Sequence, residues 1–281
     1  MIMTNERNNT QSGMPTSISD AELDQFQQLA FSATGIELSG SKRSMIYSRF
    51  TRRLRTLNLN SFSAYLKIAA NRDGEEFEHF VNTITTNLTY FFREPHHFDF
   101  LKDTVIPKAA AARKGEALRI WSAGCSSGEE PYSIAMVLAE SEKRGETDYR
   151  LLCTDIDTQM VTRTERGIYK DSQTRGLDSS RRSQWFTKEG DGEIAVIPEL
   201  KRGMICKKLN LFDTTPVRPG VDIIFCRNVL IYFDKEHQRK VVKAFSNVQR
   251  SGQFLFLGHS ESLRGFDNIY KRVSNTVYER V

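Results

Sequence analysis

The strongest constraint on the fold is a short apolar segment that runs directly into a glycine-rich turn and then into a helical pattern. Residues 118–122 read Leu-Arg-Ile-Trp-Ser, which predicts a buried strand, and residues 131–140 predict a helix with proline in its first turn. Further apolar runs at 151–154, 221–226 and 253–257 alternate with helical patterns. Strands that alternate with helices predict an α/β domain with a mostly parallel sheet, whose ligands bind beyond the carboxyl ends of the strands.

The first third of the chain follows a different, all-helical pattern. Ser19 and Glu22 have the spacing of a capping box, and apolar residues recur at helical period after them. A second helix is expected over residues 41–57, with its apolar stripe facing the protein's own core. The predicted organisation is a disordered segment over 1–18, a helical N-terminal domain over 19–90, and an α/β domain over 91–281 with an inserted β-hairpin subdomain at about 181–208.

The second predicted helix carries a block of positive charge. The whole chain has a net charge of only +5, but no acidic residue occurs between Glu37 and Asp73. Such a block indicates an acidic partner or nucleic acid. The arginines of this helix are therefore candidate substrate-docking residues: Arg49, Arg52, Arg53 and Arg55.

The compartment and the role of the cysteines are inferred from patterns that the sequence lacks. No apolar run approaches the length of a membrane span, and residues 1–16 lack the apolar stretch of a secretory signal. We expect a cytoplasmic protein that does not insert into a membrane. The four cysteines are far apart and suggest neither a disulfide framework nor a zinc site.

The glycine-rich turn is the first segment that points to chemistry. Residues 121–133 read Trp-Ser-Ala-Gly-Cys-Ser-Ser-Gly-Glu-Glu-Pro-Tyr-Ser, and Gly124 and Gly128 let the backbone approach a ligand closely. The turn lacks the third glycine of the dinucleotide fingerprint and the lysine of a P-loop. Glu129 and Glu130 would repel a pyrophosphate but suit a cation, such as the sulfonium of S-adenosylmethionine. A tight turn with acidic residues at a helix N-terminus explains the same residues equally well.

Polar residues at other predicted strand ends favour the cofactor site. Asp155 ends the second strand, where nucleoside-binding α/β folds place an acid for the ribose hydroxyls. Asp157 is the better candidate for the N-cap of the following helix. Residues 210–211 (Asn-Leu) and 227–228 (Arg-Asn) point to the same edge of the sheet and could border the cofactor.

Four segments, in chain order, resemble the signature segments of the CheR family of chemotaxis receptor methyltransferases. Besides the turn at 121–133, residues 87–98 read Asn-Leu-Thr-Tyr-Phe-Phe-Arg-Glu-Pro-His-His-Phe, 154–157 read Thr-Asp-Ile-Asp, and 225–234 read Phe-Cys-Arg-Asn-Val-Leu-Ile-Tyr-Phe-Asp. The resemblance covers nearly the whole chain after Ser19. It implies an α/β fold: a Rossmann-like class I methyltransferase domain with a mostly parallel sheet, an N-terminal all-helical domain and a small inserted β-subdomain.

The same resemblance implies a function. The protein would be a protein-glutamate O-methyltransferase that transfers a methyl group from S-adenosylmethionine to glutamate side chains of chemotaxis receptors in sensory adaptation, leaving S-adenosylhomocysteine. Its partner would be the cytoplasmic helical methylation region of methyl-accepting chemotaxis proteins. The predicted loop around residues 188–193 is shorter than in family members that dock a receptor tail peptide. We therefore expect no dependence on such a C-terminal tether.

The site residues are carried over by the same resemblance. Arg93 and Tyr232 would face the reacting glutamate, which is ionised at neutral pH because its reference pKa is about 4.3, and which needs positioning rather than a general base. The structural alternatives are a salt bridge of Arg93 with Glu94 or a neighbouring acid, and a half-buried core position for Tyr232. The cofactor contacts would be Asn87, Thr89, Arg93, Glu130, Asp155, Asn210, Leu211, Arg227 and Asn228, to which the turn itself adds Gly124.

Two other classes of protein stay open on the sequence. A methyltransferase of the same fold that acts on RNA could dock through the basic helix. However, residues 226–229 read Cys-Arg-Asn-Val where base-amine methyltransferases have Asn/Asp-Pro-Pro-Tyr/Phe, so we expect no nucleic-acid partner. The second class is a non-catalytic adaptor that keeps the cofactor site as a sensor.

His96 and His97 are expected to pack or cap rather than to bind a metal, and Cys125 is expected to be structural.

Overall fold

The computed structural model describes residues 13–113, 115–142, 148–213 and 217–281. The chain forms two compact units, a helical one that ends at Ile84 and a second one that begins at Thr85 and also includes residues 34–36. Most of the predicted disordered segment 1–18 lies outside the described residues. Within the described residues, no helix is both long enough and apolar enough to cross a membrane.

The helices of the first unit enclose an aromatic core. They are α1 (Asp20–Thr34), α2 (Arg43–Thr56), α3 (Phe62–Ala69) and α4 (Glu75–Ile84). The ring centroid of Phe50 lies 4.6 Å from that of Phe26 and 5.5 Å from that of Phe80. Together with Ile46 and Leu54, Phe50 forms the buried stripe of α2, so the predicted inward face of this helix is confirmed.

The predicted capping box at the start of α1 is also confirmed. The Ser19 N–H donates a hydrogen bond to Glu22 Oε2 at 3.0 Å, and the Glu22 N–H donates to Ser19 Oγ at 3.3 Å. These bonds satisfy two backbone donors that the first turn of a helix leaves without an intrahelical acceptor.

The second unit contains two sheets and the helices around them. Its strands are β1 (Leu118–Ala123), β2 (Tyr149–Asp155), β3 (Ile168–Lys170), β4 (Phe186–Lys188), β5 (Glu193–Val196), β6 (Met204–Lys208), β7 (Ile223–Cys226), β8 (Phe254–Leu257), β9 (Tyr270–Ser274) and β10 (Val277–Arg280). Its helices are α5 (His96–Phe100), α6 (Ile106–Arg113), α7 (Glu129–Glu142), α8 (Thr158–Arg166), α9 (Ser179–Trp185), α10 (Pro198–Lys201) and α11 (Lys235–Val248).

The large sheet has the strand order β6-β2-β1-β7-β8-β10-β9. Neighbours from β6 to β8 pair in parallel, whereas β10 is antiparallel to both β8 and β9. β7 and β8 are buried along their whole length, which explains their uninterrupted apolar sequence. The predicted class I methyltransferase fold, with a mostly parallel sheet, is confirmed.

The small sheet is antiparallel and has the order β3-β5-β4. It lies in the chain between α8 and α10, and β4 and β5 form its hairpin. The tight connection between them contains Asp191 and Gly192, both with positive φ. β6 follows this insertion and returns to the large sheet, where it pairs with β2.

The order of the large sheet determines where a ligand site can form. β1 lies inside the sheet, with β2 on one side and β7 on the other. In open α/β sheets, a crevice forms beyond the carboxyl ends of the strands at such a switch point. The segments that follow Ala123, Asp155 and Cys226 therefore meet at one edge of the second unit.

Candidate cofactor and substrate site

The turn after β1 is held against the end of β2. The N–H groups of Gly124 and Cys125 both donate to the Thr154 carbonyl oxygen, at 2.8 and 2.9 Å. Gly124 has a φ of 91°, and a Cβ at this position would overlap Val229 Cγ2, in the segment after β7. Gly124 is thus required by both its backbone conformation and the close approach of Val229.

Asp155 joins the end of β2 to the same turn. Its Oδ2 accepts a hydrogen bond from the Ser126 N–H at 2.8 Å, and its Oδ1 accepts one from the Asp157 N–H at 2.9 Å. Burial raises the pKa of Asp155 to about 6, although these hydrogen bonds favour the ionised form. Because a carboxylate has about four lone-pair sites, two backbone bonds leave capacity for ribose hydroxyls.

Asn87 is held at this edge by Asp157. As predicted, Asp157 caps α8, with its Oδ1 accepting a hydrogen bond from the Gln159 N–H at 3.0 Å. Its Oδ2 accepts hydrogen bonds from Thr85 Oγ1 at 2.7 Å and from Asn87 Nδ2 at 2.9 Å. The sequence predicts only the capping role of Asp157, and the contacts with Thr85 and Asn87 are seen only in the structure. Thr89 follows two residues later and is half-buried.

Arg227 links two carboxylates in the interior of the site. Its side chain is only 2% exposed, and its Nη1 lies 3.2 Å from Glu130 Oε2 while its Nη2 lies 3.4 Å from Glu94 Oε2. Nη2 also donates to the Arg93 carbonyl oxygen at 2.5 Å. The other oxygen of Glu130 accepts a hydrogen bond from Ser122 Oγ at 2.8 Å. These bonds connect the β1 strand, α7, the segment after β7 and the segment that precedes α5.

The pKa values of the two acids respond differently to this environment. Burial raises the pKa of Glu130, and the charge of Arg227 opposes only part of that rise. Burial also acts to raise the pKa of Glu94, but hydrogen bonds from His259 and the charge of Arg227 outweigh it and leave the pKa below its usual value. Neither acid thus lies in a water-like environment.

Arg93 and Tyr232 are both half-buried. The Nη1 of Arg93 donates to the Leu88 carbonyl oxygen at 2.8 Å, and its guanidinium carbon lies 5.9 Å from the ring centroid of Tyr90. Glu94, the alternative partner considered from the sequence, pairs with Arg227 and His259. Tyr232 ends a 3-10 turn, Leu230–Tyr232, just after β7.

Residues 210–211 follow β6 at the same edge of the sheet. The Leu209 N–H donates to the Asp155 carbonyl oxygen at 2.9 Å, which ties this segment to the end of β2. The Oδ1 of Asn210 accepts a hydrogen bond from the Phe212 N–H at 3.0 Å, whereas Leu211 is buried and belongs to the apolar core. All the predicted cofactor-contacting residues belong to the second unit, and the segment with Asn87 and Arg93, which precedes α5, is joined to the strand ends through Asp157 and Arg227.

Glu261 is a buried acid that is not among the site residues predicted from the sequence. It follows β8, and its carboxylate accepts hydrogen bonds from backbone N–H groups of the segment after β7, including that of Asn228 at 2.9 Å. Asn228 itself has a φ of 58°. The signal in the sequence was an acid four residues after an apolar strand, at the edge where the other candidates lie.

The four docking arginines of α2 differ in their surroundings. Arg53 donates two hydrogen bonds to the carboxylate of Glu76 in α4, at 2.7 and 2.5 Å. Arg49 donates to the Thr83 carbonyl oxygen at 2.8 Å. Arg52 and Arg55 are exposed. Two of the four arginines therefore stabilise the first unit, and the exposed pair are the better docking candidates.

Glu94, His96 and His97 form the one group in the described residues whose spacing resembles a metal site, with their possible ligand atoms within 4.8 Å of one another. Burial lowers the pKa of His97 to about 3, and its Nε2 lies 2.9 Å from Thr276 Oγ1. The guanidinium of Arg227 already faces Glu94 and would repel a cation. The absence of a bound metal stays a prediction.

Comparison with protein families accounts for nearly the whole chain. The model of the CheR methyltransferase SAM binding domain matches residues 87–279, and that of the CheR methyltransferase all-alpha domain matches residues 21–85. The chain belongs to the CheR methyltransferase family. The resemblance inferred from the four sequence segments is thereby confirmed.

Curated CheR-family relatives match over similar lengths. The chemotaxis protein methyltransferase of Escherichia coli K12 is 38% identical over 266 residues, which are 93% of this chain and 91% of that protein. The probable chemotaxis protein methyltransferase of Rhizobium etli is 38% identical over 86% of this chain and 94% of its own. Chemotaxis protein methyltransferase 2 of Pseudomonas aeruginosa is 35% identical over 92% of each chain.

The cofactor of this CheR-family chain is S-adenosylmethionine, as predicted. The residues at the strand ends fit it in two ways. Gly124, with a φ of 91°, allows the tight turn of the backbone at the end of β1, where a ligand approaches the main chain. Asp155 and Glu130 supply acids at the same edge, and acids suit a ligand that carries a sulfonium, an ammonium and two ribose hydroxyls.

Proposed function

We propose that this CheR-family methyltransferase acts in the cytoplasm as a protein-glutamate O-methyltransferase, and that it methylates glutamates in the helical cytoplasmic region of chemotaxis receptors. The observation that carries the proposal is the pairing of opposite charges at one edge of the sheet. The partly buried Glu130 and the buried Asp155 suit the cofactor, and Arg93 belongs to the same network because its carbonyl oxygen accepts a hydrogen bond from Arg227, which also contacts Glu130. An arginine at this place suits a substrate that brings a carboxylate.

The residues divide the work between binding and orientation. When bound, S-adenosylmethionine supplies an electrophilic methyl group on a sulfonium centre. Asp155 is assigned to the ribose hydroxyls, and Asn87 is held in reach of the same region by Asp157. Glu130 is assigned to the cationic methionine end, where the hydrogen bond from Arg227 orients its carboxylate and favours the ionised form against the effect of burial.

Arg93 and Tyr232 are assigned to the substrate carboxylate. A guanidinium and a phenol O–H can each donate to one carboxylate oxygen, which leaves the other oxygen to attack the methyl carbon in line. A glutamate with a pKa near 4.3 is already ionised at neutral pH, so that no base has to remove a proton. This agrees with the low pKa and the buried position of His97, which lacks the properties of a general base at neutral pH.

The exposed arginines of α2 are assigned to docking of the receptor. Arg52 and Arg55 present positive charge on the solvent side of the helix, while Ile46, Phe50 and Leu54 are buried on the opposite side. A receptor helix with acidic residues would be attracted and oriented by such a surface, and the attraction would weaken as salt is added.

A labelled-methyl assay tests the proposal directly. The purified protein is incubated with methyl-labelled S-adenosylmethionine and either a receptor cytoplasmic fragment or total RNA, and each product is then treated with alkali. We expect label in the receptor fragment that is released as volatile methanol, because an ester is hydrolysed and a methylated base is not. Alkali-stable label in RNA would favour the nucleic-acid alternative, and no label in either substrate would favour the adaptor.

A further inference from the structure

We infer that Glu261 is a positioning residue for methyl transfer, because its carboxylate holds the segment 228–232 in the conformation that presents Asn228 to the cofactor and Tyr232 to the substrate. The inference rests on the cofactor contact expected for Asn228 from the family resemblance and on the substrate contact proposed above for Tyr232. Glu261 lies outside the four sequence segments that resemble the family signatures.

The carboxylate of Glu261 accepts four backbone hydrogen bonds. Its Oε2 accepts from the N–H groups of Gly258 at 2.6 Å and Asn228 at 2.9 Å. Its Oε1 accepts from the N–H groups of Val229 at 2.9 Å and Ile231 at 3.3 Å. Three of these donors belong to the segment after β7, whereas Glu261 follows β8. One buried charge therefore joins the carboxyl ends of two adjacent parallel strands.

Close packing holds the same segment from two sides. Val229 fills the space that a side chain on Gly124 would need, and Asn228 fills the corresponding space at Gly258, where a Cβ would lie 2.5 Å from Asn228 Nδ2. Asn228 has a φ of 58°, in the left-handed region that a non-glycine residue adopts only when its surroundings favour it. The N–H groups of Asn228 and of the residue after it donate hydrogen bonds to Glu261, and these bonds stabilise this conformation.

Only an ionised carboxylate matches this set of partners. All four neighbours are N–H donors, so every position around the two oxygens must accept. A glutamine at this position would turn an NH2 group towards one pair of donors and lose both of those hydrogen bonds. A protonated glutamic acid would lose at least one. Unmade hydrogen bonds of buried groups are costly, so the segment is expected to rearrange.

Asp222 offers a matched control at the opposite end of the same strand. It directly precedes β7, is buried, and accepts hydrogen bonds from the Arg119 N–H at 2.8 Å, from Arg113 Nε at 2.8 Å and from Gln253 Nε2 at 2.9 Å. Like Glu261, it is an acid that links β7 to its neighbours. It lies at the amino ends of the strands, away from the proposed site.

The experiment compares E261Q with D222N in the full chain. Three properties are measured: the melting temperature, the Kd for S-adenosylhomocysteine by calorimetry, and kcat and KM for a receptor fragment. We expect both substitutions to lower the melting temperature. Only E261Q should raise the Kd, by about tenfold or more, and lower kcat by about tenfold or more, since about 1.4 kcal/mol corresponds to each factor of ten.

A second variant tests the inference even if E261Q fails to fold. G258A keeps the carboxylate but pushes a methyl group against Asn228, so it should raise the Kd for S-adenosylhomocysteine in a folded protein. If E261Q had a Kd and a kcat equal to those of the wild type, Glu261 would have only a structural role. If E261Q did not fold, the same result for G258A would lead to the same conclusion. If the proposed receptor substrate were wrong, even the wild-type protein would yield no methyl ester. The comparison of Kd values between the variants would still test the role of Glu261.

Discussion

Asp155 combines a structural and a binding task in one carboxylate. It accepts two backbone hydrogen bonds that join the turn after β1 to the end of β2, and its pKa is raised to about 6 by burial. Because the usual value is 3.8, this group contributes stability that is fully present below about pH 3.8 and is lost as the pH rises through about 6. Cofactor binding instead requires the ionised carboxylate of Asp155, because ribose hydroxyl groups donate hydrogen bonds best to that form.

The first prediction concerns the contribution of Asp155 to cofactor affinity and its dependence on pH. Asp155→Ala should raise the Kd for S-adenosylhomocysteine about 30–100-fold, which corresponds to about 2–3 kcal/mol of lost charged hydrogen bonds. In the wild type, the Kd should rise as the pH falls through about 6, and Asp155→Asn should remove that dependence. Calorimetry between pH 5 and 8 measures both effects. An unchanged affinity in Asp155→Ala would remove this residue from the site.

Tyr232 gives the second prediction at the residue scale. Tyr232→Phe keeps the ring, and therefore its packing, but removes the O–H that is assigned to the substrate carboxylate. The variant should lose much more in kcat than in cofactor affinity, because the lost contact is made to the reacting group. Steady-state kinetics with a receptor fragment, beside calorimetry with S-adenosylhomocysteine, separates the two. Normal turnover in the variant would contradict the assignment.

The β1–turn–α7 element depends on close contact between Gly124 and Val229. Gly124→Ala should destabilise the protein by about 1–3 kcal/mol, because φ is 91° and the new Cβ would overlap the valine. Gly115→Ala is the matched control, with a φ of 94° and no neighbour near its Cβ, and should lose less. Thermal unfolding measures both. If Val229→Ala did not restore part of the loss in Gly124→Ala, the overlap would not be the cause.

The α2 helix divides its arginines between folding and docking. Arg52→Glu combined with Arg55→Glu should raise the KM for receptor, more at low salt than at high salt, and leave the Kd for S-adenosylhomocysteine unchanged. Arg53→Glu should instead lower the melting temperature, because it places two carboxylates together at Glu76, which is buried. Its replacement is therefore a poor test of docking.

Charge reversal on another exposed surface controls for the change in net charge. Arg239→Glu combined with Lys243→Glu alters α11 by the same amount, and both residues are exposed. If this pair raised the receptor KM as much as the α2 pair does, general electrostatic attraction would explain the effect. If neither pair changed it, the charges of α2 would serve solubility alone.

At the scale of the whole molecule, the small sheet bears on whether methylation depends on a C-terminal tail of the receptor. β4 ends at Lys188 and β5 begins at Glu193, so their connection is a tight turn with little chain to grip a peptide. We therefore expect receptor fragments with and without their C-terminal tail to have the same KM and kcat. Steady-state methylation of the two fragments measures this. A KM that rose on removal of the tail would assign docking to the small sheet.

The two units of the molecule have separate cores, and the sequence pattern already predicted this division. Helical period in the first third and alternating strands and helices thereafter are local properties, since they follow from which side chains each element must bury. The turn at Gly124 and the acids at 130 and 155 could likewise be found, because parallel strands bring their carboxyl ends to one edge. The predicted domain boundaries, the docking arginines and the roles of individual site residues stay predictions.

Contacts between distant parts of the chain were decided only by the tertiary structure. The sequence alone could not distinguish Arg53, paired with Glu76, from Arg55, because both lie in one basic run. It also could not show that Glu261 accepts hydrogen bonds from the segment after β7, since strand pairing determines which backbone donors face a carboxylate. Local pattern determines which elements form and which faces they bury. The partners of a charged side chain depend on which elements become neighbours, and that is a property of the packed molecule.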